Sequence, residues 1–184
     1  MIERITAYFA ARHAPCLSSH NDELFHVYDP EGNHPCRHRE DAPQETDLAV
    51  HNPAAALVHL VAIDHCLYSS DDSARCDCAL VCGEEIHFVE FKHGNFRRRT
   101  DRIKDCISQL ASAINDFYQA GIITPHSMVR TIACVGFTEQ RPPQGAAIEA
   151  RKLQLNKLVA APVAIELLVT DHTVFGKIEI EKAP

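Results

Sequence analysis

The sequence predicts a mixed α/β domain, and three observations predict it. Residues 75–82 and 85–92 alternate side-chain character on either side of Gly83-Glu84, the pattern of a β-hairpin. Ile103, Ile107, Leu110, Ile114 and Phe117 then recur at helical spacing. Residues 128–137, MVRTIACVGF, follow as an apolar run of strand length. Two strands, a helix and a further strand make a sheet with a helical crossover.

Taken in chain order, residues 2–12 place Ile2, Ile5, Phe9 and Ala10 at helical spacing. Residues 14–55 form an irregular insertion rich in proline and histidine. It is expected to be loops with one short helix or strand near 22–28, inside one domain spanning 1–184. Asp29-Pro30-Glu31-Gly32-Asn33 is turn chemistry. The apolar run before the hairpin predicts a strand over 58–67. Gly83 in the first central position suits a two-residue type II′ turn. Thr100 is the expected N-cap of the next helix, with Asp101 at its positive end and Gly121 past its last turn. Residues 141–145 read as a loop, 146–160 as a helix, and 162–170 and 173–181 as strands. The order is helix, three strands, helix, strand, helix, two strands.

Composition narrows the function. Apolar residues make up 46% and charged residues 23% of 184, which excludes a disordered chain, a fibre and a coiled coil. No run approaches the ~20 apolar residues of a membrane span. Glu3, Arg4 and Arg12 interrupt the N-terminal apolar residues, so no secretory signal is expected. A cytoplasmic location follows as the expectation, with all eight cysteines as thiols. The net charge of −7 argues against a general nucleic-acid coat, but the charge is unevenly spread. Residues 1–91 hold five bases and sixteen acids, whereas 92–104 hold six bases and one acid. That basic segment contains Lys92, Arg97, Arg98, Arg99, Arg102 and Lys104, suited to phosphate contacts.

The hairpin carries the chemistry. A Gly83-Glu84 turn pairs residues whose numbers sum to 167, so Asp77 faces Glu90. Alternation puts Asp77, Ala79 and Val81 on one face with Ile86, Phe88, Glu90 and Lys92. Two carboxylates so close repel unless a cation lies between them, and Mg2+ or Mn2+ suits oxygen ligands. A metal beside a lysine points to hydrolysis of a phosphoester.

Asp77, then Glu90-Phe91-Lys92 at the end of the next strand, then a helix and a strand, resembles the PD-(D/E)XK nuclease superfamily. The resemblance implies a restriction-endonuclease-like fold: a mixed sheet with an αβββαβ core flanked by helices, spanning about residues 2–137. It implies that Asp77, Glu90 and the Phe91 carbonyl hold Mg2+ or Mn2+ and that Lys92 is catalytic. Cys76 stands where the family proline precedes the aspartate. Many members add an acid from the first helix, for which Glu3 or Glu23 is the candidate. Some carry Q-x-x-x-Y in the helix after the lysine. Gln109 supplies the glutamine, and Ala113 stands in the tyrosine's place.

Other constellations compete. His34, Cys36 and His38, with Cys16, His20 or His26, offer a structural zinc site at a spacing that matches no standard finger. Cys76, Cys78 and Cys82 fall on the hairpin face away from Asp77 and read as buried thiols. His93, just past Lys92, is a candidate to assist catalysis or bind phosphate, and His87 reads as structural. Asp64, at the end of the preceding strand, approaches the metal only if that strand flanks the hairpin, and otherwise reads as an ordinary strand-end polar residue. The expectation is a metal-dependent nuclease acting on DNA in preference to RNA, without a membrane. Specificity would come from a homodimer, from residues 14–55 or from a partner protein. The alternative is a metal-free, inactive member of the same fold that binds nucleic acid or regulates a partner.

Overall fold

The computed structural model describes residues 1–12, 14–30, 32–69, 74–92, 94, 98–136 and 145–176. Helix α1 (Ile2–Tyr8) leads into strand β1 (Leu17–His20). Strands β2 (Leu24–Tyr28), β3 (Arg37–His38) and β4 (Leu48–His51) follow, then β5 (Val58–Ala62), β6 (Cys78–Cys82) and β7 (Glu85–Phe91). Helix α2 (Arg99–Gln119), β8 (Met128–Cys134), α3 (Gly145–Leu158), β9 (Ile165–Leu168) and β10 (His172–Val174) complete the order.

Two sheets result. The larger has the order β1-β5-β6-β7-β8-β9, and the smaller β10-β4-β2-β3. The pairs β1–β5, β5–β6 and β6–β7 are antiparallel, whereas β8 is parallel to β7 and β9 to β8. A parallel pair needs a long crossover, which α2 supplies between β7 and β8. Antiparallel β6 and β7 need only the two-residue turn. Their register, Cys82↔Glu85 through Cys78↔Val89, is the one a Gly83-Glu84 turn sets. Gly83 has φ 59 and Glu84 is not among the positive-φ residues, as a type II′ turn requires.

The large sheet is buried on both faces. On one, Val61, Ala79, Val81, Ile86 and Phe88 pack against Ile5 of α1, Ile107, Leu110, Ile114 and Phe117 of α2, and Leu155 of α3. On the other, Leu60, Cys78, Leu80, Val89 and Phe91 pack against Phe25, Val27, Leu48 and Val50 of the small sheet. The helices thus flank one face only, and a second sheet covers the other. This differs from a sheet with helices around it. The β2 sequence LFHVY explains the difference, because its alternate residues Phe25 and Val27 are buried apolar side chains that need a facing surface.

Several local expectations are corrected. The segment read as loops with one short element holds four strands, β1 to β4. Strand β5 stops at Ala62, where a bent turn at Ile63–Leu67 begins, with His65 at φ 57. Helix α2 starts at Arg99 with Arg98 as its N-cap and no side-chain cap bond, so Thr100 does not cap it. Its other end closes as expected. Gly121 (φ 69) donates to the Tyr118 carbonyl and Ile122 to that of Phe117, a Schellman motif sealed by two buried apolar side chains. Cys76 lies ahead of β6 and packs on the helix side, unlike Cys78 on the opposite face. The 141–144 loop and the 177–181 part of the last expected strand lie outside the described residues. Among the described residues, no helix is long and apolar enough to cross a membrane.

The expectation of eight thiols is also corrected. Cys16 and Cys66 are joined by a disulfide, while Cys36, Cys76, Cys78, Cys82, Cys106 and Cys134 are free. The bond ties the start of β1 to the Ile63–Leu67 turn across 50 residues of chain. Closing a loop of that length limits the unfolded ensemble, an effect worth up to about 4 kcal/mol. Urea unfolding with and without a phosphine reductant checks this. The reduced protein is expected to lose a large part of that stability, as is Cys16→Ser. Coincident unfolding curves would contradict the pairing.

Candidate active site

The site lies where β5, β6 and β7 end together. Continuing the hairpin register one step past Cys78↔Val89 sets Asp77 beside Glu90. Asp77 Oδ2 accepts the Phe91 N–H at 2.6 Å. In an extended strand a residue's N–H and C=O face the same neighbour, so the Phe91 carbonyl also faces the Asp77 strand. The Asp77 carbonyl accepts N–H bonds from Ile63 at 2.9 Å and Asp64 at 3.2 Å, which joins the bent turn after β5 to the site.

Glu90 is fully buried, 0% exposed. The Lys92 ammonium lies 2.5 Å from its Oε1. Its Oε2 has no hydrogen-bond partner among the described residues. A buried carboxylate oxygen without a partner is costly, because it has lost its water and gained nothing in exchange.

The electrostatics follow from this crowding. Burial pushes the Asp77 carboxyl up to about 7, with the Asp29 and Asp64 charges adding to the rise. The Phe91 N–H bond and Lys92 oppose it without cancelling it. Burial also raises Glu90, and repulsion from Asp77 and Asp64 adds to that against the pull of Lys92. Lys92 is raised: burial alone would lower it, but its attraction to Glu90 and Asp77 outweighs that cost. Both carboxyls are therefore costly to ionise where they stand, with burial the largest cause for each and repulsion between neighbouring acids adding to it.

Neighbouring side chains hold this arrangement in place. Gln109 on α2 donates to the Arg75 carbonyl at 3.1 Å, two residues before Asp77. The Arg75 guanidinium pairs with Asp116 on α2 and lies over the Tyr68 ring. Both contacts fix the chain that enters β6. Gln109 thus acts on the backbone leading to Asp77, a positioning role.

The remaining candidates scatter. Glu3 is exposed on α1, and its neighbour Arg4 pairs with Glu84 at 2.6 Å, at the turn end of the hairpin. Six residues of strand, about 20 Å, separate Glu84 from Glu90. Glu23 is exposed just before β2, where its carbonyl accepts the Asn52 N–H. The structure brings neither acid to the pair. Asp64 is the third acid whose charge reaches both Asp77 and Glu90. Arg98 and Lys104 are exposed. Arg99 is buried and Arg102 half-buried, with an Nη2 bond to the Val135 carbonyl at 3.3 Å, so both turn inward rather than toward a ligand at the surface. His93 and Arg97 lie outside the described residues. A small concavity beside Lys92, lined by Glu45, Thr46, Gly94 and Cys134–Gly136, had no signal in the sequence.

The zinc constellation is not assembled. Cys16 is in the disulfide, Cys36 is buried, and the His20 and His38 rings stack 4.3 Å apart. Among the described residues, no three or more His, Cys, Asp and Glu side chains are grouped to hold a metal. The Asp77–Glu90 pair is thus a two-carboxylate arrangement. It fits Mg2+, which binds through one or two carboxylates and keeps several waters. The unpartnered Glu90 Oε2 is the atom such an ion would satisfy. No protein-family model, no curated protein and no solved structure matches this chain.

Proposed function

We propose that this protein is a metal-dependent nuclease of restriction-endonuclease-like fold that hydrolyses phosphodiester bonds in DNA. One observation carries the reading. Glu90, wholly buried beside Asp77, has an oxygen with no hydrogen-bond partner among the described residues, and burial together with repulsion from Asp77 makes its charged form costly without a cation. A divalent ion there would neutralise both carboxylates, lower the pKa of a bound water and counter phosphate charge. Asp77 and Glu90 would hold it, with the Phe91 carbonyl alongside. Lys92, with its side chain 31% exposed, has the position to orient water or to stabilise negative charge on the phosphate. The succession β5, β6, β7, α2, β8, with β8 parallel to β7, supports the fold assignment, and the exposed Arg98 and Lys104 beyond Lys92 support an anionic polymer as substrate.

A second reading has its own observation. The Lys92–Glu90 pair is closed, which suits a metal-free protein that binds nucleic acid or a partner. Incubating plasmid and single-stranded DNA with Mg2+ or Mn2+ separates the two. Cleavage that a chelator abolishes is expected. Intact DNA under every ion would favour the second reading.

A further inference from the structure

One half of the Cys16–Cys66 disulfide lies at the candidate site. Cys66 belongs to the bent turn Ile63–Leu67, two residues past Asp64. The Ile63 and Asp64 N–H groups both donate to the Asp77 carbonyl, so this turn grips the backbone that presents the first carboxylate. Asp64 also carries a charge felt by both Asp77 and Glu90. Cys16, at the other end of the bond, is buried next to Leu17, which pairs with Val61 of β5. The disulfide therefore ties a turn at the site to the body of the large sheet.

The turn is one that needs such a tie. His65 holds φ 57 and ψ 14, a left-handed conformation that a residue with a Cβ keeps only when its surroundings impose it. Ile63 and Leu67 are buried at the two ends of the turn, whereas Asp64, His65 and Cys66 between them are half-buried. The Tyr68 N–H closes the turn on the Ile63 carbonyl at 3.0 Å, and Arg12 Nη1 reaches the Leu67 carbonyl at 3.4 Å. The covalent tie acts on the middle of the turn, beside the strained residue.

Thiol chemistry can reach this bond more readily than the free cysteines. Burial pushes all six free thiols up, which keeps them protonated and poorly nucleophilic. Cys16 is 3% exposed and Cys66 half-buried, so the Cys66 sulfur is the one an incoming thiolate meets. A thiolate of a small dithiol attacks Cys66 Sγ, forms a mixed disulfide and expels the Cys16 thiolate, which takes up a proton. The dithiol's second thiolate then attacks its own sulfur in that mixed disulfide and expels Cys66, which is protonated in turn. The dithiol is oxidised by two electrons to a cyclic disulfide, and the protein gains two thiols.

We propose that the Cys16–Cys66 bond is a redox brace for the metal site. Oxidised, it holds the 63–67 turn against the Asp77 carbonyl. Reduced by a dithiol, it frees the turn to relax and weakens metal binding at the carboxylate pair. The inference rests on the metal-site reading for its effect on the ion but not for the brace itself.

Two measurements compare oxidised protein with protein reduced by a dithiol and desalted without air. Amide hydrogen exchange by NMR reads the brace. Reduction is expected to speed exchange at Ile63 and Asp64 by roughly tenfold or more, and to leave them faster than Val81 and Phe88, which open only with the whole fold. Calorimetry with Mn2+ reads the site. The oxidised protein is expected to bind roughly tenfold more tightly than the reduced, the scale of losing a group that orients a ligand. Reoxidation is expected to restore the affinity. Cys66→Ser should bind as the reduced protein does and ignore the dithiol. Circular dichroism confirms that each form is folded, and the reversible reduction of wild type decides alone if the variant does not fold. Turn amides unchanged by reduction, or exchanging at the rate of Val81 and Phe88, would overturn the brace. Equal Mn2+ affinity in both redox states would overturn its control of the site. If exchange changes as described and neither state takes up Mn2+, the metal-site reading fails and the brace stands.

Discussion

Lys92→Ala and Asp77→Ala are each expected to lower Mg2+-dependent DNA cleavage by roughly 10³-fold or more, the scale seen when a preorganised charge-stabilising group is removed. Their metal binding should differ. Lys92 offers the ion no ligand and competes with it for Glu90, being 2.5 Å from Oε1. Its removal is therefore expected to leave metal affinity equal or improved while cleavage is lost. Asp77→Ala removes a ligand and is expected to lose both. Cleavage assays paired with calorimetry read the difference. Activity surviving in both variants would move the chemistry elsewhere. Glu3→Ala and Glu23→Ala, distant from the pair, are expected to cleave at nearly the wild-type rate.

Without metal, the pair should be a stability liability at neutral pH, and Asp77→Asn should reveal it. The folded protein raises the Asp77 pKa from 3.8 to about 7, so it favours the protonated acid. That favourable contribution is complete below the unfolded value and is lost as pH rises through the folded one. Relative to Asp77→Asn, which does not titrate but still accepts the Phe91 N–H, wild type is expected to lose stability between about pH 4 and pH 7. The shift sets the loss at up to about 4 kcal/mol, less whatever the site recovers by relaxing or admitting water. Urea unfolding of both proteins in chelator, at the two ends of this range, measures it. Added Mg2+ is expected to restore wild type at the upper pH and to leave Asp77→Asn unchanged. A stability difference independent of pH would mean that Asp77 titrates as an ordinary surface acid.

The sequence shows the hairpin and its crossover helix clearly because each obeys a strict period. One glycine at the turn sets the β6–β7 register, and five apolar residues at helical spacing set the buried face of α2. The small sheet is hidden by its dimensions. Strand β3 has two residues and β4 four, too short to show alternation among prolines and histidines. The disulfide is hidden because an expected reducing compartment predicts thiols, and the closeness of Cys16 to Cys66 exists only in the fold. Within the candidate site, the juxtaposition of Asp77 and Glu90 follows from arithmetic on the turn. Its outer parts do not. The direction of α1, which sets Arg4 against Glu84 and so carries Glu3 away, depends on packing that no local pattern encodes. The contacts that fix the approach to Asp77, Arg75 with Asp116 and Gln109 with the Arg75 carbonyl, span 41 and 34 residues.

Calorimetric titration of the purified protein with Mn2+ tests the central claim most directly, since it needs no knowledge of the substrate. Wild type is expected to bind the ion, and Asp77→Asn and Glu90→Gln are each expected to lose that binding while remaining folded. Wild type that takes up no Mn2+, or binding that persists unchanged in both variants, would contradict the assignment of these two carboxylates as the metal site.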